Sequence, residues 1–410
     1  MMSPTPRLRI LRIIARLNVG GPAQHVLWLT QQFSQEQQGS FSTLLVTGSV
    51  APGEQSMDYL AQNLKVQPVY LPHLSRKISW LGDIVSFFSL LRICFTFKPH
   101  IIHTHTAKAG ALGRVCALFY RFFSPFLGIS PRIKVFHTFH GHVFSGYFSS
   151  FQSRLIQGIE RLLALTCHTL IVLSPEQKED LAQRYRIAPA RKLRIIPLGL
   201  DLERLETEAN QAPKSIPPPY IIGWIGRVTA IKDPELLLEV ALLAKHHQKP
   251  WIFWVIGGGE LFDAIQQRIF QEKLPVELKG FQSQIGFWLK QMHLVLLTSK
   301  NEGTPLSLLE AMVLEKSVVA TAVGGVPSLL AENRGRLVFS RTAEELFSAI
   351  EQQIQSGDLR NLAGKQWVEA NYSLHRLIRD LESLYYSSLV RIGLKKKLLR
   401  LKNSVRGEGA

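Results

Sequence analysis

Residues 294–330 constrain the fold more than any other part of this chain. An apolar run at 294–298 reads as a short buried strand. The turn Ser299-Lys300-Asn301-Glu302-Gly303-Thr304-Pro305 follows. A helix is predicted beyond it: Thr304 suits the cap, Pro305 the first helical position, and Leu306, Leu309, Ala311 and Met312 supply an apolar face. The helix should end near Glu315-Lys316, where a second strand at 317–322 runs into Gly324-Gly325-Val326-Pro327. Strand, loop, helix and strand in this order place free backbone N–H groups and a positive helix end at the carboxyl edge of a parallel sheet.

Two carboxylates mark this unit. Glu302 lies in the loop, where it can accept hydrogen bonds from ligand hydroxyls held at the helix start. Glu310 lies about one and a half turns into the helix and can reach a second polyol. Their spacing does not suit a metal pair. A sugar and a ribose joined by a diphosphate present this pattern, with phosphate charge left for the helix end. From the carboxylates alone, an ordinary helix with one capping and one surface Glu reads equally well.

The same strand–helix rhythm recurs along all 410 residues, too many for one ordinary core. It predicts an α/β chain of two doubly wound sheets facing a cleft. The expected layout is a first domain at 1–201, a linker at 202–219 ending in a Pro-rich run, and a second domain at 220–366. Helices at 367–390 and a basic amphipathic tail at 391–410 follow. Cys94, Cys116 and Cys167 are scattered and form no CxxC, which predicts buried thiols in a reducing compartment. Arginines run through the apolar N-terminal stretch, so it reads as a first strand and not a signal peptide. No uninterrupted run of eighteen apolar residues occurs, and 115–129 is broken by Arg121 and Pro125, so no membrane-spanning helix is expected.

Other candidate positions close strands. Gly20-Gly21 end the first strand, where backbone can approach a phosphate or sugar, although a plain tight turn would look the same. His103 and His105 close one strand, followed by Lys108; His137, His140 and His142 close the next. Five histidines raise the question of metal, but no HExxH or HxxxH spacing occurs, so no metal site is expected. In the second half, Gly226-Arg227 end a strand and Lys232 follows in the turn; solvated surface charges would look alike. Gly257-Gly258-Gly259-Glu260 end the next strand without forming the GxGxxG of a dinucleotide fold.

With Glu302 and Glu310 in the spacing E-x7-E, the chain resembles family 4 glycosyltransferases, which have the GT-B fold and take a sugar from a nucleotide-sugar with retention of configuration. The resemblance implies that Arg227 and Lys232 clamp the donor diphosphate and that Glu302 and His140 line the catalytic centre beside the transferred sugar. It also implies donor binding by Gly20, Gly21, Gly258, Gly259, Phe281, Gly303, Thr304, Pro305, Leu306 and Glu310. The family usually shows Gly-x-Gly followed by Pro where this chain has Gly257-Gly258-Gly259-Glu260. HTHTAKAGALGR at 103–114 resembles a subgroup that builds lipid-linked saccharides and exopolysaccharides, which places His103, His105 and Lys108 on the acceptor side. Family members are thought to react on one face, the departing phosphate taking the acceptor's proton. No DxD occurs in the chain, so no cofactor is expected and turnover without divalent metal is.

The expected function is transfer of a hexose or N-acetylhexosamine, from a donor expected to be UDP-linked, to a lipid-linked or saccharide acceptor. A nucleotide-sugar epimerase of the same fold and a non-enzymatic membrane-bound scaffold are the alternatives. Charge bears on the choice. Residues 1–200 hold 22 Lys and Arg against 8 carboxylates, residues 201–390 hold 19 against 22, and the last twenty hold 7 against 1. The donor half is therefore not the basic half. Phe119, Tyr120, Phe122 and Phe123 bunch on a predicted helix within the basic half, and 392–405 can form a short basic amphipathic helix. Both suit an anionic membrane surface on the cytoplasmic side, and no nucleic-acid motif accompanies the charge.

Overall fold

The computed structural model describes residues 8–35, 41–51, 54–75, 79–129, 133–141, 150–213 and 219–389. The predicted basic tail, most of the Pro-rich run and His142 lie outside the described residues. The chain divides into two compact units, Met1–Ile196 with Leu377–Ala410 and Pro197–Arg376.

In the first unit the elements run β1 (Leu8–Ile14), α1 (Gly21–Gln35), β2 (Phe41–Thr47), α2 (Asp58–Asn63), β3 (Val69–Tyr70), α3 (Trp80–Phe97), β4 (Ile101–His105) and α4 (Ala107–Phe123). They continue β5 (Lys134–Thr138), α5 (Ser150–Thr166), β6 (Thr169–Val172), α6 (Pro175–Glu179) and β7 (Leu193–Ile195). The seven strands are parallel in the order β3-β2-β1-β4-β5-β6-β7, so the chain reverses direction across the sheet between β1 and β4. Alternation along β1 serves both faces. Leu11 and Ile13 join a core that includes residues of α3 and α4, whereas Ile14 joins one that includes residues of α1 and α2. β3 is only two residues long, because Pro68 just before it has no N–H to give a ladder. Ser79 caps α3, its hydroxyl accepting from the Gly82 N–H at 3.3 Å.

The second unit holds α7 (Leu202–Ala209), β8 (Tyr220–Ile225), α8 (Pro234–His246), β9 (Trp251–Ile256), α9 (Phe262–Glu272), β10 (Val276–Gly280), α10 (Ile285–Gln291) and β11 (Leu294–Leu297). After these come α11 (Leu306–Val313), β12 (Ser317–Thr321), α12 (Val326–Leu330), β13 (Arg336–Val338), α13 (Ala343–Gln355) and α14 (Leu362–Tyr372). Its six parallel strands run β10-β9-β8-β11-β12-β13, with the switch between β8 and β11. In open parallel sheets that switch point is where ligands bind, at the carboxyl ends of the strands.

Two expectations need correction. Residues 202–213 are not linker: Asp201 caps α7, its Oδ1 accepting from the Arg204 N–H at 3.1 Å, and α7 packs on α10. The last helix, α15 (Leu374–Leu389), contributes to the first unit from Leu377 onward. Its Tyr385 is buried there beside Arg12 and His103. Finally, α3 has eighteen residues and is apolar enough by length and composition to cross a membrane even with Asp83 and Arg92 in it, although little of it is buried.

Candidate functional site

In the second unit, the loops after β8 and β11 are tied together. Thr298 at the end of β11 accepts from Trp224 Nε1 at 2.9 Å, and its hydroxyl lies 2.9 and 2.8 Å from the carbonyls of Lys232 and Asp233. The Lys300 N–H donates to the Ile231 carbonyl at 2.8 Å. This lacing brings Lys232 Nζ onto Glu302 Oε1, which also accepts from Ser299 Oγ at 2.6 Å. Glu302, expected to receive ligand hydroxyls, is thus already engaged through one oxygen. Arg227 is exposed, and among the described residues its guanidinium meets no carboxylate. Asp233 is held by Arg341 at 2.6 Å and Lys300 at 3.4 Å, so its charge is matched.

Two glycine turns shape these loops. Gly324 has φ +54°, and a Cβ there would sit 1.8 Å from the Glu302 carbonyl oxygen. Gly325 donates its N–H to that same carbonyl at 3.1 Å. Gly257, at φ +138°, abuts the Gly226 carbonyl, where a Cβ would come within 1.9 Å. The Gly258 carbonyl accepts from the Val228 N–H at 3.0 Å, and Gly259 is exposed beside it. The expected donor-binding glycines therefore also hold the Arg227 loop against its neighbour. Phe281 follows β10 and is partly buried.

α11 starts one residue later than predicted. Pro305 is the flanking residue, in extended conformation at φ −70° and ψ 112°, and no side chain caps the helix, so Thr304 does not. Gly303 and Thr304 form the approach; the Leu308 N–H donates to the Pro305 carbonyl at 3.2 Å, which leaves the N–H groups of Leu306 and Ser307 without an intrahelical acceptor. Glu310 is buried in the second turn. Burial raises its carboxyl to about 7, with Glu208 pushing the same way and Arg204 opposing. Both neighbours come from α7, within the stretch expected to be linker. The Asp201 cap ahead of Leu202-Glu203-Arg204 was the available signal.

In the first unit, the strand ends at the β1/β4 switch gather histidines. His105 Nδ1 lies 3.0 Å from His140 Nε2, and His25 packs edge-on to His140 with ring centroids 5.0 Å apart. His25 stands on α1, just past Gly20-Gly21, and was not anticipated; its place in the first turn after the glycine pair was the only clue. His105 Nε2 and His140 Nδ1 are buried without a hydrogen-bond partner among the described residues. Burial lowers His140 to about 3 and, with the neighbouring imidazoles, holds His105 well below its usual value, so these rings are neutral. The ligand nitrogens of His25, His105 and His140 lie within 4.8 Å of one another, the one such trio among the described residues that could close on a metal ion.

His103 does not join them through hydrogen bonds. One ring nitrogen is 2.6 Å from Tyr385 Oη and the other 2.7 Å from Thr138 Oγ1. Burial and the Arg12 guanidinium keep it neutral. Lys108, expected on the acceptor side, lies in the first turn of α4 and pairs with Asp83 of α3 at 2.5 Å. Tyr120 is buried and does not belong to the exposed aromatic face expected of it.

Comparison with known proteins agrees with this arrangement. A family model described as Glycosyltransferase Family 4 matches residues 19–204, and one described as Glycosyl transferases group 1 matches 206–367. The chain is 27% identical over 279 residues to the UDP-Gal:alpha-D-GlcNAc-diphosphoundecaprenol alpha-1,3-galactosyltransferase of Escherichia coli, covering 65% of this chain and 69% of that one. It is 23% identical over 334 residues to the capsular polysaccharide biosynthesis glycosyltransferase CapM of Staphylococcus aureus, covering 77% and 84%. The crystal structure of Anabaena Alr3699/HepE in complex with UDP and glucose shares the fold, with a TM-score of 0.72 at 16% identity over 93% of this chain and 100% of that one. Matched by two glycosyltransferase models that together span both units, the chain is a family 4 glycosyltransferase of GT-B fold, similar to enzymes that assemble lipid-linked and capsular saccharides.

Proposed function

We propose that this glycosyltransferase moves a hexose or N-acetylhexosamine from a UDP-linked donor to a lipid-linked saccharide, with retention, without a metal, as a peripheral protein on the cytoplasmic face of the membrane. The observation that carries the reading is the convergence of Arg227, Lys232 and Glu302 at the β8/β11 switch, beside the start of α11. The bond from the anomeric carbon to the diphosphate breaks, and negative charge develops on the leaving oxygen. Arg227, Lys232 and the open N–H groups of α11 stand where that charge can be met. The acceptor hydroxyl bonds to the anomeric carbon on the same face and gives its proton to the departing phosphate. Glu310 accepts the ribose hydroxyls. The first unit's neutral imidazoles, His140 above all, offer hydrogen-bonding nitrogens to sugar hydroxyls without adding charge.

The relatives support the finer terms. The Escherichia coli protein is named for a UDP-sugar donor, an alpha linkage and a diphosphoundecaprenol-linked acceptor, and the Anabaena structure was solved with UDP and glucose. Deleting the gene tests the reading. Mass spectrometry of the lipid-linked saccharides should then show a species one sugar short of the parent's accumulating. An unchanged lipid-linked profile would overturn it.

A further inference from the structure

The outward side of α3 and α4 inverts the usual pattern of a surface helix. α3 buries Gly82, Ser86, Leu90 and Cys94, and Phe87, Leu91, Ile93, Phe95 and Phe97 pack partly buried against the same core. Its outward positions are Trp80, Leu81, Ile84, Val85 and Phe88, with Trp80 85% exposed. Such a helix gains nothing from water on that side, and a contiguous apolar patch on a soluble surface marks a docking site.

The patch continues ring to ring. Phe88 packs on Phe87 at 5.3 Å, Phe87 on Phe119 of α4 at 5.2 Å, and Phe119 on Phe123 at 6.1 Å. Phe123 contacts Phe122 at 5.1 Å, and Phe122 contacts Phe126, 6.0 Å away in the single 3-10 turn Ser124–Leu127 that follows α4. Phe122 and Phe126 are 64% and 77% exposed.

Charge identifies the occupant. From residue 59 to residue 159 the chain has one carboxylate, Asp83, against eleven Lys and Arg. Asp83 is paired with Lys108, so the elements carrying the patch have no unmatched negative charge. Arg92 on α3, Lys98 at its C-terminal cap and Arg121 on α4 are exposed. A second copy of this chain would bring the same cations against themselves. A bilayer with anionic headgroups takes the rings into its interface and pairs the cations with phosphate.

We propose that the outward face of α3, α4 and the turn after it is a monotopic membrane-docking surface for anionic lipid. This deepens the membrane placement proposed above and rests on it, and it is tested without reference to catalysis. Trp80→Ser, Phe122→Ser and Phe126→Ser are combined in the full chain and compared with wild type and with Lys395→Gln/Lys396→Gln/Lys397→Gln in the tail. Co-sedimentation uses phosphatidylcholine vesicles with and without phosphatidylglycerol; Tm and UDP affinity verify the fold. Wild type should bind only the anionic vesicles, less as salt rises, and the triple serine variant should bind at least about tenfold more weakly with Tm and UDP affinity unchanged. Wild-type-like binding by that variant overturns the proposed face; if the tail variant is then the one that loses binding, the membrane placement survives. No vesicle binding by wild type overturns both. A wild-type dimer that the serine variant converts to monomer assigns the face to self-association and overturns the proposal.

Discussion

Glu310 carries the most informative single ionisation in the protein. In the absence of ligand its carboxyl is raised from 4.5 to about 7 by burial. In the proposed function ribose hydroxyls donate to the ionised form, so UDP affinity should climb by up to tenfold per pH unit below about 7 and level above it. UDP's own phosphate titration is common to wild type and Glu310→Gln, so the difference between their calorimetric pH profiles isolates this group. Identical profiles would contradict the assignment. The same shift has a stability consequence of opposite use. A folded-state value above the unfolded one costs nothing below pH 4.5, grows through the window, and reaches up to about 3 kcal/mol above pH 7. Glu310→Gln should therefore raise Tm at pH 8 and leave it unchanged at pH 4, while weakening UDP.

Lys232 and Glu302 form the second residue-scale case. Removing one partner of a largely buried pair leaves the other charge unmatched, here a carboxylate beside the place proposed for the diphosphate. Lys232→Ala should lower kcat/KM by about a hundredfold or more. Adding Glu302→Gln to it should cost far less than Glu302→Gln does alone. Strictly additive losses would show that the pair does not act as a unit. Both residues were legible through the family resemblance, Glu302 by the E-x7-E spacing and Lys232 by its place after Gly226-Arg227; position alone would have left them as surface charges. Their mutual contact was not, because it depends on Thr298 and the Lys300 N–H tying two loops some seventy positions apart.

At the scale of elements, the strand–loop–helix–strand unit around α11 was readable because apolar runs, a proline and a glycine pair follow one another at short range. α7 was not, since a Pro-rich run just beyond it looked like a linker. The histidine trio escaped for another reason: its members come from α1, β4 and the loop after β5, and only the parallel sheet order brings them together. α3 is apolar along most of its length, and sequence alone does not say which side of such a helix faces outward. The glycine pair after β12 gives an element-scale test. Gly324 and Gly357 both adopt left-handed φ, +54° and +69°, but only at Gly324 would a Cβ meet the Glu302 carbonyl, whereas Gly357 has open space. Gly357→Ala should cost only the left-handed strain, about 1–2 kcal/mol of stability, with turnover intact. Gly324→Ala should in addition displace the Glu302 loop and cut turnover by tenfold or more, about the effect of losing one charge-assisted hydrogen bond. Equal turnover in the two variants would detach that loop from catalysis.

For the whole molecule, two parallel sheets each reverse their strand order once, and each switch point gathers a different chemistry: cations, carboxylates and a helix start in the second unit, neutral imidazoles in the first. The cations can meet a leaving diphosphate, and the imidazoles can bind hydroxyls without charge. The account's central claim is that these serve a retaining, metal-free transfer. The direct measurement is proton NMR of the product formed from an alpha-configured UDP-sugar and a diphospholipid-linked acceptor, with the reaction run in excess chelator. The account predicts acceptor-dependent release of UDP and an alpha-linked product at full rate. A beta linkage would contradict retention, and activity lost in chelator and restored by a divalent metal would contradict the metal-free reading and direct attention to His25, His105 and His140.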